Sequence, residues 1–197
     1  MFSFSLLTPP AVEPVTLADV KAHARIDTAA DDVLLAKLIT SARQWAERYT
    51  GRAFITQTWK LAIDMLVPEN RWPDEVNAIN LPRAPLQSVT SVHFYDDADA
   101  EALWASGNYF VDTSREPGRL VLRSGSVWPS PTRCANGMII TYVAGYGADA
   151  SAVPEPIKTA IYELVAHFYE HRGDETSPPC FAAQALLNPY RVRYTGL

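Results

Sequence analysis

The stretch Asp31-Asp32-Val33-Leu34-Leu35-Ala36-Lys37-Leu38-Ile39-Thr40-Ser41-Ala42-Arg43-Gln44-Trp45-Ala46-Glu47-Arg48-Tyr49-Thr50-Gly51 decides the fold. Val33, Leu34, Leu38, Ala42, Trp45 and Tyr49 recur three or four residues apart, and Leu35, Ile39 and Ala46 widen that stripe. Lys37, Arg43, Gln44, Glu47 and Arg48 take the other side. This is the period of an amphipathic helix. Asp31-Asp32 suits its positive end, and Gly51 suits its stop, because glycine enters the left-handed conformation that ends helices at no steric cost. Such a helix must bury its stripe against another element.

Working outward, two further segments offer partners. Thr16-Leu17-Ala18-Asp19 is a helix start, with Thr16 placed to accept a first-turn N–H and Val15 and Val20 placed as a hydrophobic staple. That helix is expected to run to about Arg25 and stop near Ile26-Asp27-Thr28. Pro154-Glu155-Pro156 opens another, whose stripe is Ile157, Ala160, Ile161, Leu164, Val165 and Phe168 and whose stop is His171-Arg172-Gly173. Asp174 to Pro179 reads as a loop, Phe181 to Leu187 as a short helix, and Asn188 to Tyr194 as an exposed tail.

Between Phe54 and Tyr146 the period falls to two. Thr56–Asp64 puts Trp59, Leu61 and Ile63 on one pleat face. Ile79–Leu81, Val89–Tyr95, Tyr109–Asp112, Leu120–Leu122 and Met138–Val143 follow, with an acidic turn at Asp96-Asp97-Ala98-Asp99. Pro68, Pro73, Pro82, Pro85, Pro117, Pro129 and Pro131 punctuate the series, as befits edges and loops. Strands that succeed one another without helices read as an antiparallel sheet or small sandwich. The expected fold is α+β. Residues 1–53 with the N-terminal helices, and 148–197 with the C-terminal helix plus tail, form one helical body, and 54–147 form an inserted antiparallel β lobe.

Composition narrows the functional classes. The 197 residues are 48% hydrophobic, 20% charged and 11% aromatic, which is globular rather than disordered. A net charge of -5 gives no clustered basic face for gripping phosphates. The longest apolar runs fall well short of a membrane-spanning helix. The apolar start, Phe2-Ser3-Phe4-Ser5-Leu6-Leu7, lacks a cationic leader and reads as a poor signal peptide. Cys134 and Cys180 sit in Pro-rich stretches and read as free thiols.

No motif carries catalysis. Glu163, His167 and His171 share a helix face at four-residue spacing, which a metal-dependent hydrolase could use, but the zinc-hydrolase pattern is absent and a helix-end His pair suits the macrodipole. The acidic turn lacks the central glycine of a calcium loop. There is no nucleophile elbow, phosphate loop or dinucleotide turn, and no cofactor is expected. Trp59, Trp72, Trp104 and Trp128 leave open a β-sandwich module that binds carbohydrate or peptide, although packing within the lobe explains them equally. Tyr190, Arg191, Arg193 and Tyr194 are the residues picked out for a protein partner, since Tyr and Arg are enriched at interface hot spots. Arginine outnumbers lysine 13 to 4, which suits bidentate pairing with proteins.

Four segments in order resemble a known family. They are Pro14 to Lys21 with Arg25-Ile26-Asp27, Asp31 to Gly51 closing on Tyr49-Thr50-Gly51-Arg52, Leu81-Pro82-Arg83-Ala84-Pro85-Leu86-Gln87-Ser88-Val89, and Ile140 to Gly147 leading to Pro154-Glu155-Pro156-Ile157-Lys158. Together they resemble the head-tail connector (adaptor, or head-completion) proteins of long-tailed phages, in the larger version found in prophages and gene transfer agents. Ala24 departs from the pattern, standing where the family carries a larger apolar residue. The resemblance implies a non-enzymatic virion protein that resides in the host cytoplasm before assembly and then in the neck. It implies a self-associated ring of twelve on the portal protein, with helices around a channel through which DNA passes without specific binding. A tail-side neck or tail terminator protein docks below, no membrane is involved, and the C-terminal segment with Tyr190, Arg191, Arg193 and Tyr194 engages the portal.

Overall fold

The computed structural model describes residues 2–64, 77–130, 133–172 and 180–192. Within them the chain is α+β, with helices α1 (Leu17–Ala24), α2 (Asp32–Thr50), α3 (Glu155–Glu170) and α4 (Phe181–Leu187). The strands are β1 (Phe2–Thr8), β2 (Gln57–Ile63), β3 (Ala78–Asn80), β4 (Leu86–Tyr95), β5 (Glu101–Leu103), β6 (Tyr109–Asp112), β7 (Arg119–Leu122) and β8 (Met138–Ala144). They divide between two compact units, one built on residues 10–55 and 146–192, the other on 1–9 and 56–145.

The first unit is helical, and its helix ends follow local chemistry. Thr16 Oγ1 accepts the Asp19 N–H at 3.1 Å, satisfying one orphan donor of α1. Gly51 ends α2 at φ 73°, where a side chain would be strained. Leu35, Ile39, Ala42 and Ala46 of α2 pack with Ile157, Ala160, Ile161, Leu164 and Val165 of α3, and Val15, Val20, Phe54, Ala183 and Leu187 complete the core. Each fully buried large side chain there contributes about 1.5–3 kcal/mol.

The buried stripe of α2 is rotated from the one its periodicity suggests. Val33 is 74% exposed, and Leu38, Trp45 and Tyr49 are only partly buried. Arg43 and Glu47, assigned to the polar side by sequence, are buried. The reason is a charge network. Arg43 Nε donates to Glu13 Oε2 at 2.7 Å and its Nη1 donates to Glu47 Oε2 at 2.9 Å. Glu47 Oε1 in turn accepts the Phe54 N–H at 2.9 Å. Burial pulls the Arg43 pKa down, but the hydrogen bonds and charges of Glu13 and Glu47 outweigh it and hold the guanidinium above its ordinary value.

The second unit holds two antiparallel sheets, ordered β1-β2-β8-β4-β5 and β3-β7-β6. β8 lies centrally and alternates, with Met138, Ile140, Tyr142 and Ala144 buried. Residues 2–8, which the sequence reading left within the helical segment 1–53, instead pair with β2 from Phe2↔Ile63 to Thr8↔Thr58. The Phe-Ser-Phe-Ser-Leu alternation is a strand signal that the sequence reading weighed only as a leader, which it rejected. β5 was also missed, because Glu101-Ala102-Leu103 holds no β-branched or aromatic residue to mark a strand. The acidic turn joins β4 to β5, with Asp96 Oδ1 accepting the Ala98 and Ala100 N–H groups at 3.0 and 2.8 Å. Trp59 and Trp104 are buried, the latter 5.2 Å from both the Tyr109 and Trp128 rings, so they serve packing rather than a sugar platform. Trp72, Pro68, Pro73, Pro131, Gly173 and the loop 174–179 lie outside the described residues.

Two predictions follow from these charges. Glu47→Ala strands Arg43 half-paired and leaves the Phe54 N–H unsatisfied, so urea unfolding should show a loss of about 3 kcal/mol, in the range for breaking a buried ion pair. In the β6–β7 hairpin, hydrogen bonds from Ser114, then from Arg119, lower the Asp112 pKa to about 2. A lowered folded-state pKa gives stability that is present above the unfolded value of about 4 and lost as pH falls toward the folded one. Amide exchange protection in the hairpin should therefore hold above pH about 4 and fall between there and pH 2. Asp112→Asn should flatten that profile.

Candidate interaction surface at the end of the long helix

The last two turns of α2 carry Trp45 and Tyr49, whose rings stack at 5.1 Å with 9° between planes. One helical turn separates them, which puts both on one face. Tyr49 Oη donates to Asn188 Oδ1 at 2.7 Å, and the Arg191 guanidinium lies 5.0 Å from the Tyr49 ring centroid. Gly51 then turns the chain so that Arg52 Nε donates to the Tyr190 carbonyl at 2.6 Å, with its guanidinium 5.7 Å from the Tyr146 ring. The Val192 N–H donates to the Thr50 carbonyl at 2.8 Å, satisfying an acceptor that the helix end leaves open.

The segment expected to be an exposed tail is thus fastened along the end of α2 as far as Val192. Asn188–Tyr190 form a 3₁₀ turn directly after α4. Arg191 is exposed and Tyr190 half-buried, while Arg193 and Tyr194 lie outside the described residues. Arg48, Arg52 and Arg191 gather cations where the α2 dipole is negative, which is electrostatically favourable. The sequence reading did not find Trp45, Tyr49, Arg52, Tyr146 or Asn188 as parts of this surface. The run Tyr49-Thr50-Gly51-Arg52 is where its signal lay, since an aromatic and a cation flanking a helix stop can both reach a returning chain.

Glu163 of the suspected metal column faces His23 of α1, Oε1 to Nε2 3.5 Å, and His23 stacks on Tyr162. His171 Nδ1 is 2.9 Å from the His167 carbonyl, and the two rings are 4.4 Å apart. Among the described residues no group of three or more His, Cys, Asp or Glu could hold a metal ion. Cys134 and Cys180 are free thiols, the first exposed and the second half-buried. No helix among the described residues is long and apolar enough to cross a membrane.

Known proteins resemble this chain in sequence and in fold. The family model described as phage gp6-like head-tail connector protein matches residues 14–102. Over nearly its whole length the chain is similar to a chain from the neck of an empty gene transfer agent particle computed with C6 symmetry, with TM-score 0.80, 25% identity and coverage of 98% of this chain and 97% of that one. A chain from the virion of a native gene transfer agent particle aligns with TM-score 0.79 and 25% identity, covering 98% and 96%. A chain from a native particle's neck, computed with C12 symmetry, shares the fold at TM-score 0.74 and 24% identity, covering 99% and 97%. No curated protein matches the chain.

The clasp itself is testable. Tyr49→Phe keeps the ring stack and removes the hydrogen bond to Asn188, costing about 1 kcal/mol. The Val192 amide should then exchange roughly 5-fold faster, while amides in the middle of α3 stay unchanged.

Proposed function

We propose that this chain, whose residues 14–102 match the family model described as phage gp6-like head-tail connector protein, is a structural virion protein of the neck that joins the capsid portal to the tail. It is not an enzyme. The observation that carries the reading is the likeness, over 98% of the chain, to a protein chain in the neck of a gene transfer agent particle. A connector works by shape and by contacts at its two ends, and the absence of catalytic motifs agrees with that.

The finer reading is an oligomeric ring extending the DNA channel below the portal. The C6 and C12 symmetry with which related particle necks were computed supports it. So does charge. At -5 the chain offers no general cationic surface, and DNA that must slide gains nothing from arginine and lysine contacts that hold phosphates. The end of α2 with residues 188–192 is the portal-facing contact in this reading. Arg191 and the Trp45–Tyr49 stack supply the aromatic and guanidinium anchors that dominate interfaces. Tyr190 belongs to the same surface, Arg193 and Tyr194 follow it in the chain as further candidates for the portal contact, and a tail-side neck protein meets the opposite end of the ring.

Purified full-length chain mixed with portal rings tests this by electron microscopy and sedimentation. Wild-type chain should add a ring to the portal. Truncation after Leu187 should abolish docking, and so should the milder combination Arg191→Glu, Arg193→Ala and Tyr194→Ala, which leaves Tyr49 and Asn188 in place. Circular dichroism confirms that each variant folds. Full docking by the folded triple variant would refute the portal assignment of these residues.

A further inference from the structure

β1 forms one rim of the five-stranded sheet, paired with β2 on one side and with no strand on the other among the described residues. All seven of its residues are exposed. Phe2, Phe4 and Leu6, at 37%, 42% and 43% exposure, alternate onto one face, and Leu7 at 49% stands on the other. The apolar face is seated firmly. The Phe4 ring is 5.8 Å from Trp59, and the Arg83 guanidinium is 5.6 Å from Phe4 and 5.0 Å from Trp59.

Sheet edges are ordinarily blunted by charge, proline, bulges or a cover, because an open edge is a template for another strand. Between Phe2 and Thr8 there is neither a charge nor a proline, and the register with β2 is regular from Phe2 to Leu6, with a shift only at Leu7. Among the described residues the same sheet has a second stretch without a paired strand, at its far rim. β8 pairs with β4 along its length, but among the described residues β5 and the Trp104 N–H, which donates to the Val92 carbonyl at 2.8 Å, cover only Val92 to Tyr95. Leu86-Gln87-Ser88-Val89-Thr90-Ser91-Val92 is also free of charge. Bulges at Gln87 and Thr90 keep the regular part of this rim short.

We propose that β1 of one copy adds to the β4 rim, at Gln87–Ser91, of the next copy, so that the sheet passes from subunit to subunit around the ring. The inference rests on the ring reading above and names the contact that closes it. Two unlike surfaces on opposite rims of one sheet make a head-to-tail contact, the kind that generates closed rings. Main-chain pairing of an added strand supplies affinity, and the exposed Phe2, Phe4 and Leu6 supply apolar area beside the short regular stretch. Charge also favours a second copy as the occupant. Chains of net charge -5 repel one another, and these two rims are segments where copies can meet without opposing like charges.

The test uses full-length chain carrying Cys134→Ser and Cys180→Ser, with Ser5→Cys in β1 and Thr90→Cys in β4, assembled on portal rings and treated with a short bis-maleimide. The double-cysteine chain should give a denaturation-resistant ladder of dimer, trimer and higher species, and a mixture of the two single-cysteine chains should stop at dimer. Phe4→Lys should leave the circular dichroism of the free chain unchanged and reduce ring formation at least tenfold. Rings intact by microscopy without a ladder would overturn the proposal, as would dimers from the Ser5→Cys chain alone, which indicate β1 pairing with itself. Cross-links from β1 to the portal would overturn the choice of occupant. If microscopy of wild-type chain on portals finds no ring, the ring reading fails first and this contact falls with it.

Discussion

The helical unit depends on one buried ionic contact, Arg43 held between Glu13 and Glu47. Glu13 comes from the segment that follows β1, Arg43 and Glu47 from adjacent turns of α2, and Glu47 also accepts the Phe54 N–H where the chain leaves the helix. A single guanidinium therefore fixes the chain before the long helix, the helix, and the chain after it. Its burial is tolerable because two carboxylates surround it and the second is itself hydrogen-bonded. With Phe54 held, the Tyr146 N–H donates to the Phe54 carbonyl at 3.1 Å, and Ile55 bridges Gly147 in parallel. The departing and returning chains of the helical unit are thereby tied together. A side chain at Gly147 would meet Ala152 Cβ at 2.6 Å, so this return requires glycine.

Most of the architecture was legible in the sequence. The starts and stops of α2 and α4, the extent of α3 and six of the strands follow from period and punctuation, since those signals are local. The failures were of two kinds. Arg43 and Glu47 looked solvent-facing because a charged residue gives no local sign that a third charge, thirty positions away at Glu13, will neutralise it. β1 was left without an element because its partner, β2, lies some fifty residues further on. Both errors concern long-range pairing, which periodicity cannot report.

The candidate surface was half legible. Composition pointed to Tyr190 and Arg191, yet it described a loose tail, whereas the Val192 N–H and the Tyr190 carbonyl are both bonded to the end of α2. Fastening matters for the proposed role. A partner that meets a fixed Arg191 over a Tyr49–Trp45 stack loses less entropy than one that must order a frayed segment. In the proposed role the two units carry different contacts. The helical one presents anchored aromatic and guanidinium groups, and the β one presents uncharged sheet rims.

The central claim is that the chain acts by holding a capsid to its tail. Electron microscopy of particles produced with this gene deleted, and again with the chain supplied in trans, tests it most directly. The account predicts DNA-filled heads without tails in its absence and tailed particles on its return. Deletion particles whose tails stay attached and whose necks keep the same density would contradict it.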